Sequence, residues 1–359
     1  MSITPEISVI MSVYNGEEYL EKAIESVINQ TFKNWELIII NDCSTDSTEK
    51  ILEKFAALDE RIKVHKNEVN LRLPKSLNKA IALAQGKYIA RMDADDICLP
   101  DRLSKQHSFM ESNPDISLSS CRFMTLKNGV VSSGGCGGRC DSNSLRALLL
   151  VTNPILHPGV IAKAEVMKKL GYDTNLTCTE DLDLWTRMSR EKLKMQILPE
   201  YLMIYRLHDK QITSTTLERQ HKEVVSIQNE YYKEFLECMD KEQEDFYIHG
   251  IYFREKIDIN MFCNFYKWLK AVNRKKRAFK DEAIDYAMFE ILAEYKRCQI
   301  SKTEVIKALA SFNPLFLLKE ILSRKKRAYI DGKKCINAAK KVGLVHVGGT
   351  TAFPVFSEL

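Results

Sequence analysis

No stretch of this 359-residue chain approaches the roughly 18 uninterrupted apolar residues that cross a bilayer. The first six residues, Met1-Ser2-Ile3-Thr4-Pro5-Glu6, lack the basic start and apolar core of a signal peptide, and strand-like residues begin at Ile7. These absences lead to the expectation of a cytoplasmic protein, with a peripheral place at the inner membrane face left open. Cysteine is not scarce, but the ten copies are scattered. The one close pair, Cys136 and Cys140, has no second pair or nearby histidine to complete a zinc site. Reduced thiols are expected. The chain also shows no internal repeat, no nucleic-acid recognition motif and no dinucleotide fingerprint. Its glycine cluster, Gly134-Gly135-Cys136-Gly137-Gly138, has the wrong spacing and joins no clear strand to a clear helix.

What is present is the composition of a soluble globular protein, 45% hydrophobic and 28% charged. Strand and helix signals alternate through the first half. Ile7 to Val13 and Trp35 to Ile40 are near-continuous apolar runs, as in parallel strands covered on both faces. Leu20, Ala23, Ile24, Val27 and Ile28 recur at helical spacing between them. Further strands are expected at Ile62–His65, Lys87–Met92, Ile116–Leu126 and His157–Ala162, and a helix at Leu77–Ala84. Ser132–Asp141 reads as a glycine-rich loop, Thr179–Arg190 as a helix, and Met195–His208 as extended. The pattern predicts an α/β domain with a mostly parallel, Rossmann-like sheet and helices on both faces, over residues 1–215. Beyond it the alternation stops, and 216–359 reads as a mainly helical module with helices such as Asp281–Arg297.

In an open α/β sheet, ligands bind beyond the carboxyl ends of the strands. Three polar segments fall there: Ser12-Val13-Tyr14-Asn15 after the first strand, Asn41-Asp42 after the second, and Asp93-Ala94-Asp95-Asp96 after the fourth. Carboxylates one residue apart on a turn can hold a hard divalent cation, whose coordination phosphate oxygens complete. An acid at a neighbouring strand end, Asp42, suits a hydrogen bond to a base or ribose.

The segments Ile7–Gln30, Trp35–Thr45 and Gly86–Asp96, with Leu99-Pro100-Asp101-Arg102-Leu103, resemble the family 2 glycosyltransferases, inverting enzymes with the GT-A fold. The likeness covers roughly residues 5–212. It implies that Ser12, Val13 and Tyr14 contact the nucleoside of a nucleotide-sugar donor, most often a uridine diphosphate sugar, and that Asp42 binds its base. It implies that Asn78 lines the donor site, and that Asp93, Ala94 and Asp95 form the D-x-D segment. Asp95 is then the preferred ligand of Mn2+ or Mg2+, with Asp93 and His208 as further candidates. Thr179-Glu180-Asp181 resembles the family's E-D motif, which makes Asp181 the base that deprotonates the acceptor hydroxyl. Trp185, one turn along, could floor a sugar subsite or belong to the core. His157 would face the acceptor side, Arg206 would offset phosphate charge, and His208 would approach the metal or diphosphate, or be structural. Arg72 departs from the pattern, because similar sequences more often carry glycine there. Its side chain could reach a phosphate or be solvated.

From Lys267 to Lys341 the chain has 20 Lys and Arg against 8 acids, within a formal net charge of +5 overall. Two basic runs, Arg274-Lys275-Lys276-Arg277 and Arg324-Lys325-Lys326-Arg327, flank apolar helical stretches. They read either as a solvated face or as a dock for an anionic membrane bearing a lipid-linked saccharide acceptor. No nucleic-acid partner is expected. Two rival functions remain at this point. A sugar nucleotidyltransferase would need a basic glycine-rich loop after the first strand, which is absent. A catalytically silent sugar-binding scaffold would have no need of both Asp95 and Asp181.

Overall fold

The structure, a computed structural model, describes residues 4–134, 141–208, 217–233, 239–255, 257–297 and 300–323. Residues 135–140 of the glycine cluster, with Cys136 and Cys140, lie outside it, as do the segment around the expected boundary at 215 and the run Arg324–Arg327. The chain divides into two compact units. The first holds the described residues up to 134, 155–208 and 217–223; the second holds 141–154 and the described residues from 224 onward.

The first unit opens with β1 (Ile7–Val13), α1 (Leu20–Ile28), β2 (Trp35–Asn41), α2 (Thr48–Leu58), β3 (Ile62–Lys66), α3 (Leu73–Leu83) and β4 (Tyr88–Arg91). After β5 (Ile97–Cys98), α4 (Arg102–Ser112), β6 (Ile116–Lys127) and β7 (Val130–Gly134), α5 (Ser142–Leu148) belongs to the second unit. The first then resumes with a 3-10 turn at His157–Gly159, β8 (Ile161–Lys163), α6 (Ala164–Leu170), α7 (Glu180–Arg190) and β9 (Lys194–Arg206). One nine-stranded sheet runs β3-β2-β1-β4-β8-β6-β9-β5, with β7 on β6. The stretch β3-β2-β1-β4 is parallel. Beyond β4 the sheet is mixed: β8 is antiparallel to both its neighbours, and β6 and β9 run parallel.

All seven residues of β2 are buried, as a strand covered on both faces requires, and α1 buries Leu20, Ala23, Ile24 and Val27 in the same apolar core. Arg102 is buried, and among the described residues no carboxylate pairs with it. It donates to the carbonyls of Arg91 and Val160 at 2.8 and 3.1 Å, tying the end of β4 to the strand beside it.

Three expectations change. The strand expected over His157–Ala162 starts only at Ile161, because Pro158 has no N–H for a ladder. Gly159 N instead closes a turn onto Leu156 O at 3.1 Å. The loop expected from Ser132 begins later, because Ser132–Gly134 are the end of β7, which pairs with β6. Asn128 (φ 50°) and Gly129 (φ 78°) form that hairpin's two-residue turn, the left-handed pair that matches strand twist. Helix α3 starts at Leu73 rather than Leu77, since Pro74 is pre-organised for a first turn.

In the second unit, α8 (Leu217–Tyr231, whose first turns belong to the first unit), α9 (Lys241–Asp245), a π-helical stretch at Phe246–Tyr252, α10 (Ile259–Lys276), α11 (Asp281–Arg297) and α12 (Lys302–Leu309) precede a last helix, α13, over 314–323. Its core is aromatic, with Tyr247 stacked on Phe265 and Tyr266 on Phe312. All five described cysteines are free thiols, and no described helix is long and apolar enough to cross a membrane.

Candidate active site

The carboxyl ends of β1, β2 and β4 form one rim, because β1 is hydrogen-bonded to both of the others. Val13 O accepts from Asp42 N at 2.8 Å, so the Ser12-Val13-Tyr14 segment and Asp42 are joined through the backbone. Tyr14 is 53% exposed at the edge. The two loops then interlock: Asn15 N donates to Ser44 Oγ (3.0 Å), Thr45 N to Asn15 Oδ1 (2.8 Å) and Gly16 N to Thr48 Oγ1 (2.8 Å). A Cβ on Gly16 would stand 2.5 Å from Val13 Cγ2 and 4.0 Å from Ala94 Cβ, which sets this loop against the D-x-D segment.

Asp42 is buried, and its Oδ1 accepts from Asn67 Nδ2 (2.7 Å) and Leu71 N (2.8 Å). Asn67 in turn donates to Ser76 Oγ and accepts from Lys79 Nζ. The residue after Leu71 is Arg72, at φ 67° and ψ 165°, a region that is essentially glycine's alone. Backbone geometry thus accounts for the glycine that similar sequences carry here. Arg72→Gly is expected to stabilise the fold by about 1 kcal/mol, read as a higher urea midpoint with an unchanged slope. A lower midpoint would mean that the side chain contributes more than the strain costs.

In the acidic run, both oxygens of Asp93 are held by the Nη atoms of buried Arg91. Burial pushes the Asp93 carboxyl up to about 6 against the pull of Arg91, with help from the charges of Asp95 and Asp181. Asp95 Oδ2 lies 2.9 Å from His208 Nε2, and the Asp95 carbonyl accepts from Arg206 Nε at 2.9 Å. Arg206 also covers the ring of Tyr19, and its N–H donates to Asp96 Oδ1 at 2.9 Å. Asp96 is fully buried, and its Oδ2 has no partner among the described residues. One oxygen from each of Asp93, Asp95 and Asp96 lies within 4.8 Å of the others. Three crowded carboxylates with one orphaned oxygen are a donor set that fits a hard divalent cation. A cleft of about 510 Å³ opens beside it, lined by Tyr19, Lys127, Arg206, His208 and the Asn128-Gly129 turn.

Asp181 stands in the first turn of α7, with Oδ1 accepting from Leu182 N at 2.7 Å. The loop ahead of it is clamped by Glu223, whose carboxylate accepts from Thr177 N and Oγ1, Cys178 N and Thr179 Oγ1. Buried Glu180 faces His157 (Oε1 to Nδ1, 3.8 Å), and His157 Nε2 meets Tyr172 Oη at 2.8 Å. Burial, then the charge of Asp181, push the Glu180 carboxyl up to about 8, while burial and Arg91 hold His157 well below its ordinary range. Near pH 7 the contact therefore joins neutral groups. The sign for stability follows: Glu180 is protonated in the fold where an unfolded chain ionises it. Its contribution is full below about 4.5 and is lost as pH rises to about 8. The melting temperature of the wild type relative to Glu180→Gln is expected to fall by a few degrees across that window. A constant difference would show that Glu180 is ionised throughout.

The structure thus gathers Ser12, Val13, Tyr14, Asp42, Asp93, Ala94, Asp95, Arg206 and His208 around the rim. Others sit differently. Trp185 is fully buried, edge-on to His157, so its ring offers no face to a saccharide and the subsite-floor reading is corrected to core. His157 is buried behind Glu180 and Tyr172 rather than facing an acceptor. Asn78, expected to line the donor site, spends its amide on the backbone N–H and carbonyl of Tyr172, 2.8 Å each. Arg91, Tyr172 and Glu223 have no role in the sequence reading, and Asp96 has only its place in the acidic run. Asp96 carried a signal in its place beside the D-x-D pair, whereas Glu223 lies more than 40 residues beyond the loop it holds and carried none.

Residues 8–131 match the family model described as Glycosyl transferase family 2. An uncharacterised glycosyltransferase of Methanocaldococcus jannaschii is 38% identical over 206 residues, 56% of this chain and 71% of that protein. The O-antigen biosynthesis glycosyltransferase WbnJ of Escherichia coli is 32% identical over 225 residues, 60% of this chain and 85% of WbnJ. S. aureus TarS in complex with UDP-GlcNAc aligns with a TM-score of 0.56 at 17% identity, over 83% of this chain and 93% of that one. The mannosyltransferase PcManGT of Pyrobaculum calidifontis, in complex with GDP-Man and Mn2+, aligns at 0.50 and 16%, over 95% and 87%. At such identities the two structures speak to the fold alone. Because two relatives are matched over most of their length and the family model runs from β1 into β7, the chain belongs to the family 2 glycosyltransferases of bacterial polysaccharide type, built on the GT-A fold.

Proposed function

We propose that this glycosyltransferase moves the sugar of a uridine diphosphate sugar to a hydroxyl of a saccharide acceptor, free or lipid-linked, with inversion at the anomeric carbon. The observation that carries this reading is the cluster of Asp93, Asp95 and Asp96 at the end of β4, with Arg206 and His208 bonded to Asp95; the charge of Asp181 on α7 also acts on Asp93. TarS holding UDP-GlcNAc and PcManGT holding GDP-Man with Mn2+ support a nucleotide-sugar donor and a divalent cation on this type of fold.

Ser12, Val13 and Tyr14 would flank the nucleoside and Asp42 would bind its base. Asp95, with Asp93, Asp96 and His208 around it, would hold Mn2+ or Mg2+, which when bound offsets charge on the departing diphosphate. Arg206 would add a fixed positive charge on the same side. Asp181 would take the proton of the acceptor hydroxyl as its oxygen bonds to the anomeric carbon. On the opposite face the carbon–oxygen bond to the diphosphate breaks, and its electron pair leaves with the diphosphate. Glu223 would keep the loop before Asp181 in place during that step.

Uridine diphosphate release, measured across a panel of nucleotide sugars, tests the donor and the cation together. Release is expected from uridine donors with Mn2+ present, and EDTA is expected to stop it. Equal release from guanosine or thymidine donors would contradict the donor assignment, and release untouched by EDTA would contradict the cation.

A further inference from the structure

We propose that α13 of the second unit is a docking element for an anionic lipid surface. The helix starts on a clear signal: Asn313 Oδ1 accepts from Leu315 N at 2.9 Å, and Pro314 occupies the first turn. Its inner face is fixed by aromatic packing. Phe312 and Phe316, both buried, meet Phe289 at 5.9 Å between ring centroids, and Phe312 stacks on Tyr266 at 4.6 Å.

That packing turns Leu315, Leu318 and Leu322 outward, 77%, 58% and 58% exposed. They follow one another at i, i+3 and i+7, which places them on one stripe. Three of the nine exposed large apolar side chains among the described residues therefore sit on less than three turns of one helix. Singly exposed leucines need no explanation; a stripe of them does.

The charge around the stripe identifies the occupant. Lys319 Nζ bonds Glu282 Oε1 at 3.1 Å, which ties α13 to the start of α11. The turn leading into α11 is pinned by Asn273, which bonds Phe279 and Asp281. The last turn of α10 and its cap, just before that turn, carry Arg274, Lys275, Lys276 and Arg277, all exposed. An apolar stripe on a helix tied through α11 to a basic helix end, without a span-length apolar run among the described residues, matches a helix that lies in the interfacial plane of an anionic bilayer. A second copy of this chain would bring the same basic groups together, which charge complementarity disfavours. The inference concerns the second unit alone and stands whether or not the acceptor is lipid-linked.

Co-sedimentation of the full chain with phosphatidylcholine vesicles, with and without phosphatidylglycerol, tests it. The wild type is expected to pellet with the phosphatidylglycerol vesicles only. Combining Leu315→Gln, Leu318→Gln and Leu322→Gln is expected to lower the bound fraction roughly tenfold. Combining Arg274→Gln, Lys275→Gln, Lys276→Gln and Arg277→Gln is expected to weaken it and flatten its salt dependence. Both variants should keep the wild-type circular dichroism and uridine diphosphate release in solution. A wild type that stays in the supernatant overturns the proposal, as does pelleting unchanged by the leucine substitutions. Loss of a dimer in those variants without any vesicle binding would assign the stripe to a second copy instead.

Discussion

Asp181→Asn is expected to lower sugar transfer by roughly 10²–10⁴-fold, the range a positioned general base contributes, while donor affinity stays within a few-fold of wild type. The substitution keeps the shape of the side chain and the bond that Leu182 N donates to Oδ1. It removes only the capacity to take a proton from the acceptor. The clamp of Glu223 on Thr177, Cys178 and Thr179 is untouched, so the start of α7 should stay in place. One detail sharpens the expectation. The negative charge of Asp181 raises the proton affinity of Asp93, so a neutral residue at 181 eases ionisation of Asp93 while removing one charge that attracts the cation, two opposed effects that leave donor binding within a few-fold. A loss of donor affinity as large as the loss of transfer would make Asp181 a binding residue. Reading the turnover and Michaelis constants separately distinguishes the two.

Asp95→Asn should act on the other half of the reaction. Asp95 shares the cluster with Asp93 and Asp96, and its Oδ2 lies 2.9 Å from His208 Nε2. Both oxygens of Asp93 are already committed to Arg91, which leaves Asp95 the better placed to reach a cation. Loss of that oxygen is expected to weaken cation-dependent donor binding on the order of 10²-fold or more, since even groups one shell further out commonly cost 10–100-fold. The fold should survive, because the bond that matters structurally, from Arg206 Nε, goes to the Asp95 carbonyl rather than its side chain. Uridine diphosphate release equal to that of wild type would remove Asp95 from the cation site.

The donor rim is the part of the molecule most legible in its residues. Near-continuous apolar runs mark β1 and β2 because these strands are covered on both faces, and the polar residues at their ends mark the rim where an open α/β sheet takes ligands. The limits of α11 can likewise be read from its apolar pattern. Beyond β4 the sheet is harder to read. The antiparallel insertion of β8 between β4 and β6 depends on partners more than 40 residues apart, and Pro158 and Gly159 interrupt what the local composition offers as a strand. The Asn128-Gly129 turn had a local signal, yet the glycines that follow it draw attention away from the pairing of Ser132–Gly134.

At the site, Asp93-Ala94-Asp95-Asp96 and Glu180-Asp181 are legible as candidates because their carboxylates stand together in the chain. What hides is the support. Trp185 lies on the helix of Asp181, but which helix face is buried depends on His157 and the strands behind it. Asn78 reads as a polar residue near a ligand, while its amide closes on Tyr172, 94 positions away. The strain at Arg72 appears only once its φ is known.

The central claim is a division of labour, in which Asp95 serves the donor and Asp181 serves the acceptor. Calorimetric titration of uridine diphosphate in the presence of Mn2+ into wild type, Asp95→Asn and Asp181→Asn tests it most directly. The account predicts binding of similar strength for the wild type and Asp181→Asn, and its loss in Asp95→Asn alone. Equal binding by all three proteins, or loss in both variants, would contradict it.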